Sequence, residues 1–178
     1  DKKCIKAEIA WYKAHRKLLQ FGTFYRLTLE GRGGRRVWMC VSEDGTEAVA
    51  MFFQQTAMPS HTRNIMPFRG LDPALDYIID GREQYIAVSS FGGLAKRALP
   101  VKLSGDGAAM AMLSARYMFP MTEEHYEAGG DMLMGHGLHL KQQFGSTGYN
   151  ENVRVLGDCG SRTYYLRAKS EKGLIPQG

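Results

Sequence analysis

The segment at residues 38–53 constrains the fold of this chain more than any other part of its sequence. Two largely apolar runs, residues 36–42 and 47–54, flank a tetrapeptide that contains Asp44 and Gly45. An Asp-Gly pair between apolar runs favours a tight β-hairpin turn, because glycine adopts positive φ without strain. The sequence therefore predicts an antiparallel hairpin that turns at Asp44-Gly45, and strands should dominate a fold built around it.

Other short strands are predicted on both sides of this hairpin. Alternation indicates a half-buried strand at residues 24–29, and Gly and Pro turns separate further candidates at 68–71, 77–80, 84–90, 154–156 and 163–167. A turn is predicted at residues 105–107, while residues 108–117 suit either a strand or a helical piece. Short strands between such turns are typical of antiparallel sandwiches and barrels.

One amphipathic helix precedes the strands, at residues 3–20, and Gly22 is its predicted end. Its apolar stripe consists of Ile5, Ile9, Tyr12 and Leu19, widened by Trp11 and Leu18. One helix cannot bury its own stripe, and the rest of the chain is too poor in helix for a bundle. The predicted fold is therefore mainly β, an antiparallel β-sandwich of the Greek-key type preceded by one N-terminal α-helix.

Composition excludes several classes of function. The 178 residues, 44% hydrophobic and 23% charged, are ordinary for a globular protein of one domain with a short attached piece. The net charge of +5 is mild, and its densest groups, residues 32–36 and 96–97, are interpreted as solvated turns. Apolar stretches such as residues 108–113 are too short to span a bilayer. We therefore expect neither a nucleic-acid partner nor a membrane partner.

The N-terminus and the cysteines predict a cytoplasmic excerpt of a longer chain. There is no initiator Met and no signal peptide, because the first residues continue directly into the helical pattern. Three cysteines, Cys4, Cys40 and Cys159, offer no close pair and are interpreted as reduced thiols. Cys40 lies in an apolar run and is expected in the core. A catalytic thiol would need a neighbouring His, which spacing cannot reveal.

Histidines near residue 131 are the candidate metal ligands. His136 and His139 are three residues apart, with His125 and Asp131 nearby, and on a helix the two imidazoles could share a metal ion. Glycines on both sides of His136 disfavour a helix, and a strand would place residues three apart on opposite faces. Surface or loop histidines are the preferred interpretation, and we predict no metal site and no cofactor.

Paired carboxylates would be the signature of glycoside hydrolysis. The candidates within one stretch are Glu123, Glu124 and Asp131, of which the adjacent glutamates are interpreted as part of a solvated turn. Glycine-rich pieces at residues 31–34 and 91–93 lack the strand, helix and Lys-Ser/Thr of a phosphate loop, and no nucleophile elbow occurs. No catalytic residue emerges from the sequence itself.

Aromatic residues make up 11% of the chain, including Trp11 and Trp38. An exposed aromatic face could bind sugar rings, whereas aromatics on alternating strands are more often part of a core. A sugar-binding face therefore stays open as an alternative.

Five segments, in order along the chain, carry a resemblance to a known family. The most specific is residues 12–27, YKAHRKLLQFGTFYRL. The others are residues 38–44 with Glu47-Ala48, 69–73 with Tyr77, 130–134 with Gly137-Leu138, and 157–162. Together they resemble, from about Ile5 to Leu166, the C-terminal region of bacterial α-galactosidases of glycoside hydrolase family 36. Two features depart from that pattern: the stretch between Tyr77 and Gly130 is long, and Tyr164-Tyr165 stands where a Trp is usual.

The resemblance implies a division of the chain. Residues 1–22 would be the terminal helix of an upstream catalytic barrel plus a hinge at Phe21-Gly22. Residues 23–168 would be the C-terminal β-sandwich, with an insertion within 77–130, and residues 169–178 a tail.

The resemblance also implies a parent enzyme, a retaining α-galactosidase that acts on terminal α-galactosides of the raffinose and melibiose type. Its two catalytic groups would be Asp residues on barrel strands upstream of this chain. No Asp here matches either of them, so no catalytic residue is assigned and the chain alone is predicted to be inactive. Substrate would meet only the parent enzyme.

Three hypotheses follow. The favoured one is a non-catalytic accessory domain that covers the barrel and, in a homo-oligomer, a neighbouring subunit. It predicts an apolar stripe at residues 5–19 that is exposed in the isolated chain unless the helix self-associates or folds back on the sandwich. An independent sugar-binding module predicts a groove lined by aromatics. A small enzyme that uses His125, Asp131 and His136 predicts a pocket with a perturbed titratable pair.

Overall fold

The computed structural model describes residues 2–28, 34–56, 65–83, 85–87, 112, 118–120, 124–140, 142–143, 153–154 and 159–169. Its helices are α1, Lys2–Phe21, and α2, Gly130–Gly135. Its strands are β1 Thr23–Thr28, β2 Arg36–Val41, β3 Glu47–Gln54, β4 Ile65–Met66, β5 Asp76–Gly81, β6 Tyr85–Ala87, β7 Met118–Pro120, β8 His125–Gly129, β9 Leu138–His139, β10 Gln142–Gln143, β11 Val153–Arg154 and β12 Gly160–Ala168.

A six-stranded antiparallel sheet, in the order β1-β2-β3-β12-β5-β8, forms the body of the molecule. The last strand lies in its middle, where Tyr164 is opposite Ala50 on one side and Gly81 on the other. Three two-stranded pairs accompany it, of which β4-β9 and β6-β7 are antiparallel and β10-β11 is parallel. The prediction of a mainly β fold with an N-terminal helix is confirmed.

The predicted hairpin is confirmed in its strands and in its turn. Val41 of β2 faces Ala48 of β3, and Gly45 has a φ of 71°. The Asp44 carboxylate accepts hydrogen bonds from the hydroxyls of Ser42 and Thr46, at 2.7 and 2.8 Å, and from the Thr46 backbone N–H. These bonds fix the turn and lower the pKa of Asp44 to about 2, the Ser42 bond first among them.

Not every predicted strand is a strand. Residues 68–71 form an irregular segment between β4 and β5, so that prediction is wrong. Phe68 and Leu71 are buried as strand residues would be, but Gly70, at a φ of 76°, turns the backbone away from any ladder. β6 lies within the predicted strand at 84–90 and β11 overlaps the one at 154–156, and the remaining residues of both predictions lie outside the described residues. The predicted turn at 105–107 and nearly all of 108–117 lie outside the described residues.

One face of the sheet carries the hydrophobic core. Its buried side chains are Val37, Met39, Val41, Ala48, Ala50, Phe52, Tyr77, Ile79, Tyr164 and Leu166. The β4-β9 pair and α2 cover this face, and they contribute Met66, Leu133 and Leu138 to the same cluster. Burial of each large side chain of this kind stabilises the fold by about 1.5–3 kcal/mol.

The opposite face of the sheet carries α1. Leu18 is 9% exposed, and the His15 ring packs edge-on against Tyr165, with 4.4 Å between ring centroids. The helix ends at Phe21, next to Gly22 as predicted, and only glycine fits at that position, because a Cβ would lie 2.6 Å from the Leu18 carbonyl oxygen. Within the described ranges, no helix has both the length and the apolar character needed to cross a bilayer.

Candidate functional site

The helix α1 contacts the sheet through a different row of residues from the one that its sequence suggests. Trp11, His15 and Leu18 face the sheet, and the Arg82 guanidinium lies 5.6 Å from the centre of the Trp11 ring. Glu8 anchors the same end of the helix through an ion pair with Arg82 at 3.1 Å. The helix therefore packs on the sheet, but through a different row from the stripe that was expected to fold back on the sandwich.

The predicted stripe, in contrast, is left in water. Ile5, Ile9 and Tyr12 are 53%, 49% and 46% exposed. The expectation that these three residues find a substitute partner within the chain is wrong. Residues advance by about 100° around a helix, so a row at positions 11, 15 and 18 cannot face the sheet together with one at 5, 9 and 12. The exposed stripe is what the accessory-domain hypothesis predicts for the chain alone.

A second exposed apolar area lies on the outer face of the sheet, on β1 to β3. Phe24 is 55% exposed and packs against Trp38 with ring centroids 6.2 Å apart. Trp38 contacts Phe53 in turn at 4.8 Å, and the Arg26 guanidinium lies over the indole at 5.8 Å. Cross-strand neighbours of this kind stabilise a sheet. The four residues form one cluster at the β1 end of the sheet.

The helix stripe and the sheet cluster lie on the same side of α1. On the other side, a groove of about 830 Å³ separates Ala14, Lys17 and Phe21 from the β2-β3 turn. Ile5, Ile9 and Tyr12 project from the flank opposite that groove, by the same 100° spacing. Cys40 lies beneath the helix, with its thiol 3.9 Å from the Leu19 carbonyl oxygen, and Trp38 lies farther from the turn along β2.

We call this combined surface the apolar flank and define it by Ile5, Ile9 and Tyr12 on α1 and Phe24, Trp38 and Phe53 on the sheet. The two sides of the helix differ in chemistry. The groove on the other side has Lys17 on one wall and Glu43, Asp44 and Glu47 on the opposite wall. The flank is mainly apolar, with three arginines along it: Arg26 over Trp38, Arg36 opposite Phe53, and Arg16 one turn after Tyr12. Exposed apolar surface of this kind marks interaction sites.

The sheet cluster is not a flat platform. The rings of Phe24 and Phe53 are inclined to the Trp38 ring by 68° and 56°. The Trp38 indole nitrogen is itself buried and has no hydrogen-bond partner among the residues that the structure describes. A sugar ring stacks on an open aromatic face and accepts or donates hydrogen bonds around its edge, and inclined rings that pack on one another offer neither. This geometry does not favour the sugar-binding alternative.

The candidate metal ligands are distributed over three elements. The His125 Nδ1 atom lies 2.6 Å from an oxygen of Asp80, on β8 and β5. His136 caps the end of α2, and His139 is in β9. His136 and His139 both border a largely apolar groove of about 500 Å³. The described residues contain no group of three or more His, Cys, Asp or Glu that could hold a metal ion.

The candidate carboxylates do not meet. Glu124 precedes β8 and Asp131 follows it, so the five-residue strand, about 17 Å long, separates them. Glycosidase carboxyl pairs are about 5–9.5 Å apart. The same strand separates His125 from Asp131, so the trio of the small-enzyme hypothesis is not assembled. Glu123 lies outside the described residues.

Glu124 also corrects an interpretation made from sequence, because it is buried rather than part of a solvated turn. It is 7% exposed, and its oxygens accept hydrogen bonds from the Tyr164 hydroxyl at 2.8 Å and the Tyr126 hydroxyl at 3.1 Å. Burial, and then the charge of Glu124, raise the pKa of Tyr164. Glu124 and Tyr164 are 40 residues apart, and no local pattern in the sequence links them.

The cysteine predictions are met where the structure describes the side chains. Cys40 is 5% exposed, and burial raises the pKa of its thiol, which disfavours the reactive thiolate. Cys159 is an exposed free thiol on a backbone with a φ of 56°. The side chain of Cys4 lies outside the described set.

Comparison with known proteins identifies relatives of the chain. The family model of the glycosyl hydrolase family 36 C-terminal domain matches residues 35–166. Alpha-galactosidase AgaA of Geobacillus stearothermophilus is 39% identical over 85 residues, which are 48% of this chain and 12% of that protein. The chain thus spans about an eighth of the length of that curated relative.

Solved structures give the same result for the fold. The crystal structure of the α-galactosidase AgaB from Geobacillus stearothermophilus superposes with a TM-score of 0.55 at 28% identity, over 94% of this chain and 16% of that one. A variant of AgaA from the same organism, crystallised with raffinose, gives a TM-score of 0.56 at 26% identity, over the same 94% and 16%. Both similarities extend through α1 as well as the sheet, since they cover nearly the whole chain.

Proposed function

The chain belongs to glycoside hydrolase family 36, whose C-terminal domain it matches over most of its length, and we propose that it is the non-catalytic accessory domain of a retaining α-galactosidase. The match at residues 35–166 is the observation that carries this proposal. The separation of Glu124 from Asp131 supports it, because the two carboxylates cannot act on one glycosidic bond. The catalytic groups would lie in the larger part of the protein, which this chain does not include.

The role of the domain in that protein is to cover apolar surface on the catalytic barrel. Residues 1–22 would be the terminal helix of the barrel and a hinge, residues 23–168 the β-sandwich with an insertion within 77–130, and 169–178 a tail. The exposed stripe of Ile5, Ile9 and Tyr12 supports this arrangement, because burial of such side chains is worth about 1.5–3 kcal/mol each. In an oligomer the same domain could also cover a neighbouring subunit.

The substrate class follows from the relatives and is part of the proposal. The AgaA variant was crystallised with raffinose, an oligosaccharide that ends in α-linked galactose. We propose that the longer protein removes terminal α-galactose from sugars of the raffinose and melibiose type, in the cytoplasm. The independent sugar-binding module is less well supported, because the rings around Trp38 are inclined to one another.

An immunoblot combined with an activity assay tests this proposal. An antibody against the chain should detect, in cells that produce it, a polypeptide several times its mass of 19.9 kDa. That polypeptide should co-purify with hydrolysis of raffinose and melibiose. A native protein of the size of this chain, separable from all α-galactosidase activity, would contradict the proposal.

A further inference from the structure

The sheet cluster of Phe24, Trp38 and Phe53 has an exposed apolar surface, to which Phe24 contributes most. We propose that Phe24, Trp38 and Phe53 form a second contact area for the catalytic domain of the same protein, continuous with the helix stripe. This inference rests on the proposed function and adds to it. The sheet itself, and not only α1, would then bind the catalytic domain, and the two contacts would fix how the domain sits.

The first argument is the position of the cluster. Phe24 lies on β1, the strand at one end of the six-stranded sheet, and is 55% exposed although it is a large aromatic residue. Its ring packs against Trp38, and Trp38 packs against Phe53. Three adjacent strands therefore present apolar rings on one face. An exposed apolar area of this kind marks a binding surface better than single scattered residues do.

The second argument is continuity across the helix. The stripe of Ile5, Ile9 and Tyr12 faces the same side of α1 as the cluster, and the opposite side is a groove with charged walls. A body that covers the stripe approaches from the side on which Trp38 lies. A body that approaches from that side can contact the stripe and the adjoining face of the sheet together.

The third argument concerns the size of the occupant. The chain covers 16% of the solved relative AgaB, so the rest of such a protein is several times larger than this domain. A partner of that size can cover a helix flank and three strands together. A second copy of the chain is the main competing occupant, and the test below separates the two.

Matched single substitutions test the inference. Phe24→Ser removes the exposed ring from the cluster, and Met132→Ser is its control, because Met132 is 46% exposed on α2, which covers the other face of the sheet. Ile9→Ser tests the helix stripe by itself. Phe24→Leu keeps an apolar side chain, so its exchange protection and unfolding midpoint should match those of the unsubstituted protein. Each variant is made in the 178-residue chain and in the longer protein that carries it.

We measure hydrogen exchange of the β1 amides and the thermal unfolding midpoint in the 178-residue chain and in the longer protein. We expect β1 to exchange at least about tenfold more slowly in the longer protein than in the chain alone. Phe24→Ser should abolish that protection and lower the midpoint further in the longer protein than in the chain alone, where it removes only the contact with Trp38. Met132→Ser and Phe24→Leu should leave the protection and the midpoint unchanged.

The outcomes distinguish this inference from the proposed function. If Ile9→Ser lowers the unfolding midpoint of the longer protein and Phe24→Ser does not, the proposed sheet contact is overturned. The proposed helix contact is then retained. If neither does, and β1 exchanges equally fast in both proteins, both proposals fail. If the chain alone is a dimer that Phe24→Ser makes monomeric, a second copy occupies the cluster and the inference is overturned.

Discussion

At the scale of single residues, Tyr77 explains why a short motif and a distant turn belong together. Its buried hydroxyl donates a hydrogen bond to the Gly45 carbonyl oxygen at 2.6 Å and accepts one from the Asp72 N–H at 2.8 Å. The β2-β3 turn is thereby joined to the loop that leads into β5. The motif at residues 69–73 with Tyr77, which the sequence offered only as a resemblance, thus has a structural purpose.

Tyr77→Phe tests this bridge. The substitution leaves a buried donor and acceptor without their partner, so we expect a loss of about 1–3 kcal/mol in the free energy of unfolding. Urea denaturation of the chain measures it. Tyr12→Phe is the control, since Tyr12 is 46% exposed and water replaces its hydroxyl contacts. Equal effects of the two substitutions would contradict the bridging role.

Tyr164 gives the prediction for alkaline pH. Burial, and then the nearby Glu124, raise the pKa of its hydroxyl above the value of about 10 in the unfolded chain. Ionisation is thus easier in the unfolded state, so the contribution of Tyr164 is complete below about pH 10 and is lost as pH rises above it.

We therefore expect the urea midpoint of the chain to fall more steeply between about pH 9.5 and 11 than that of Tyr164→Phe. The variant has its own cost, because Glu124 loses a donor, so the comparison is of slopes and not of absolute stability. Parallel pH profiles for the two proteins would show that Tyr164 does not contribute to the alkaline loss.

At the scale of elements, the β2-β3 hairpin depends on the backbone of Gly45. A Cβ at this residue, with its φ of 71°, would also lie 3.1 Å from the Asp72 nitrogen. Gly45→Val should cost about 1 kcal/mol or more through backbone strain. Gly135→Ala is the matched control, because no atom lies within 4 Å of the added Cβ. If Gly45→Val is as stable as the unsubstituted chain, the turn does not depend on glycine at this position.

The elements that the sequence predicts well are those with a local cause. Periodicity and a capping glycine locate α1, and the Asp-Gly turn locates the hairpin. Residues 68–71 were misassigned because buried apolar residues in a loop and in a strand have the same pattern. The place of β12 between β3 and β5 depends on pairing between residues at least 83 apart, such as Tyr164 and Gly81, which no local pattern encodes.

Of the apolar flank, the sequence predicts the helix stripe, which has a local cause, but not the sheet cluster. The stripe of Ile5, Ile9 and Tyr12 follows from helical spacing alone. Which row faces the sheet depends on tertiary contacts of Trp11, His15 and Leu18, and the sequence favoured the wrong row. The cluster around Trp38 needed the register of three strands, although alternation in β2 and β3 does place Trp38 and Phe53 on one face.

At the scale of the whole molecule, the sheet has two differently covered faces. Among the described elements, β4, β9 and α2 cover its inner face, and α1 covers part of its outer face. The exposed remainder is the apolar flank, which is where the proposed catalytic domain would bind.

Galactose release from raffinose is the measurement that tests this account most directly. The purified 178-residue chain and the longer protein that carries it are assayed side by side. We predict release by the longer protein and none by the chain alone, because we expect both catalytic Asp residues upstream of this chain, and Glu124 and Asp131 lie at opposite ends of β8. Release by the chain alone, abolished by Asp131→Asn, would contradict the account.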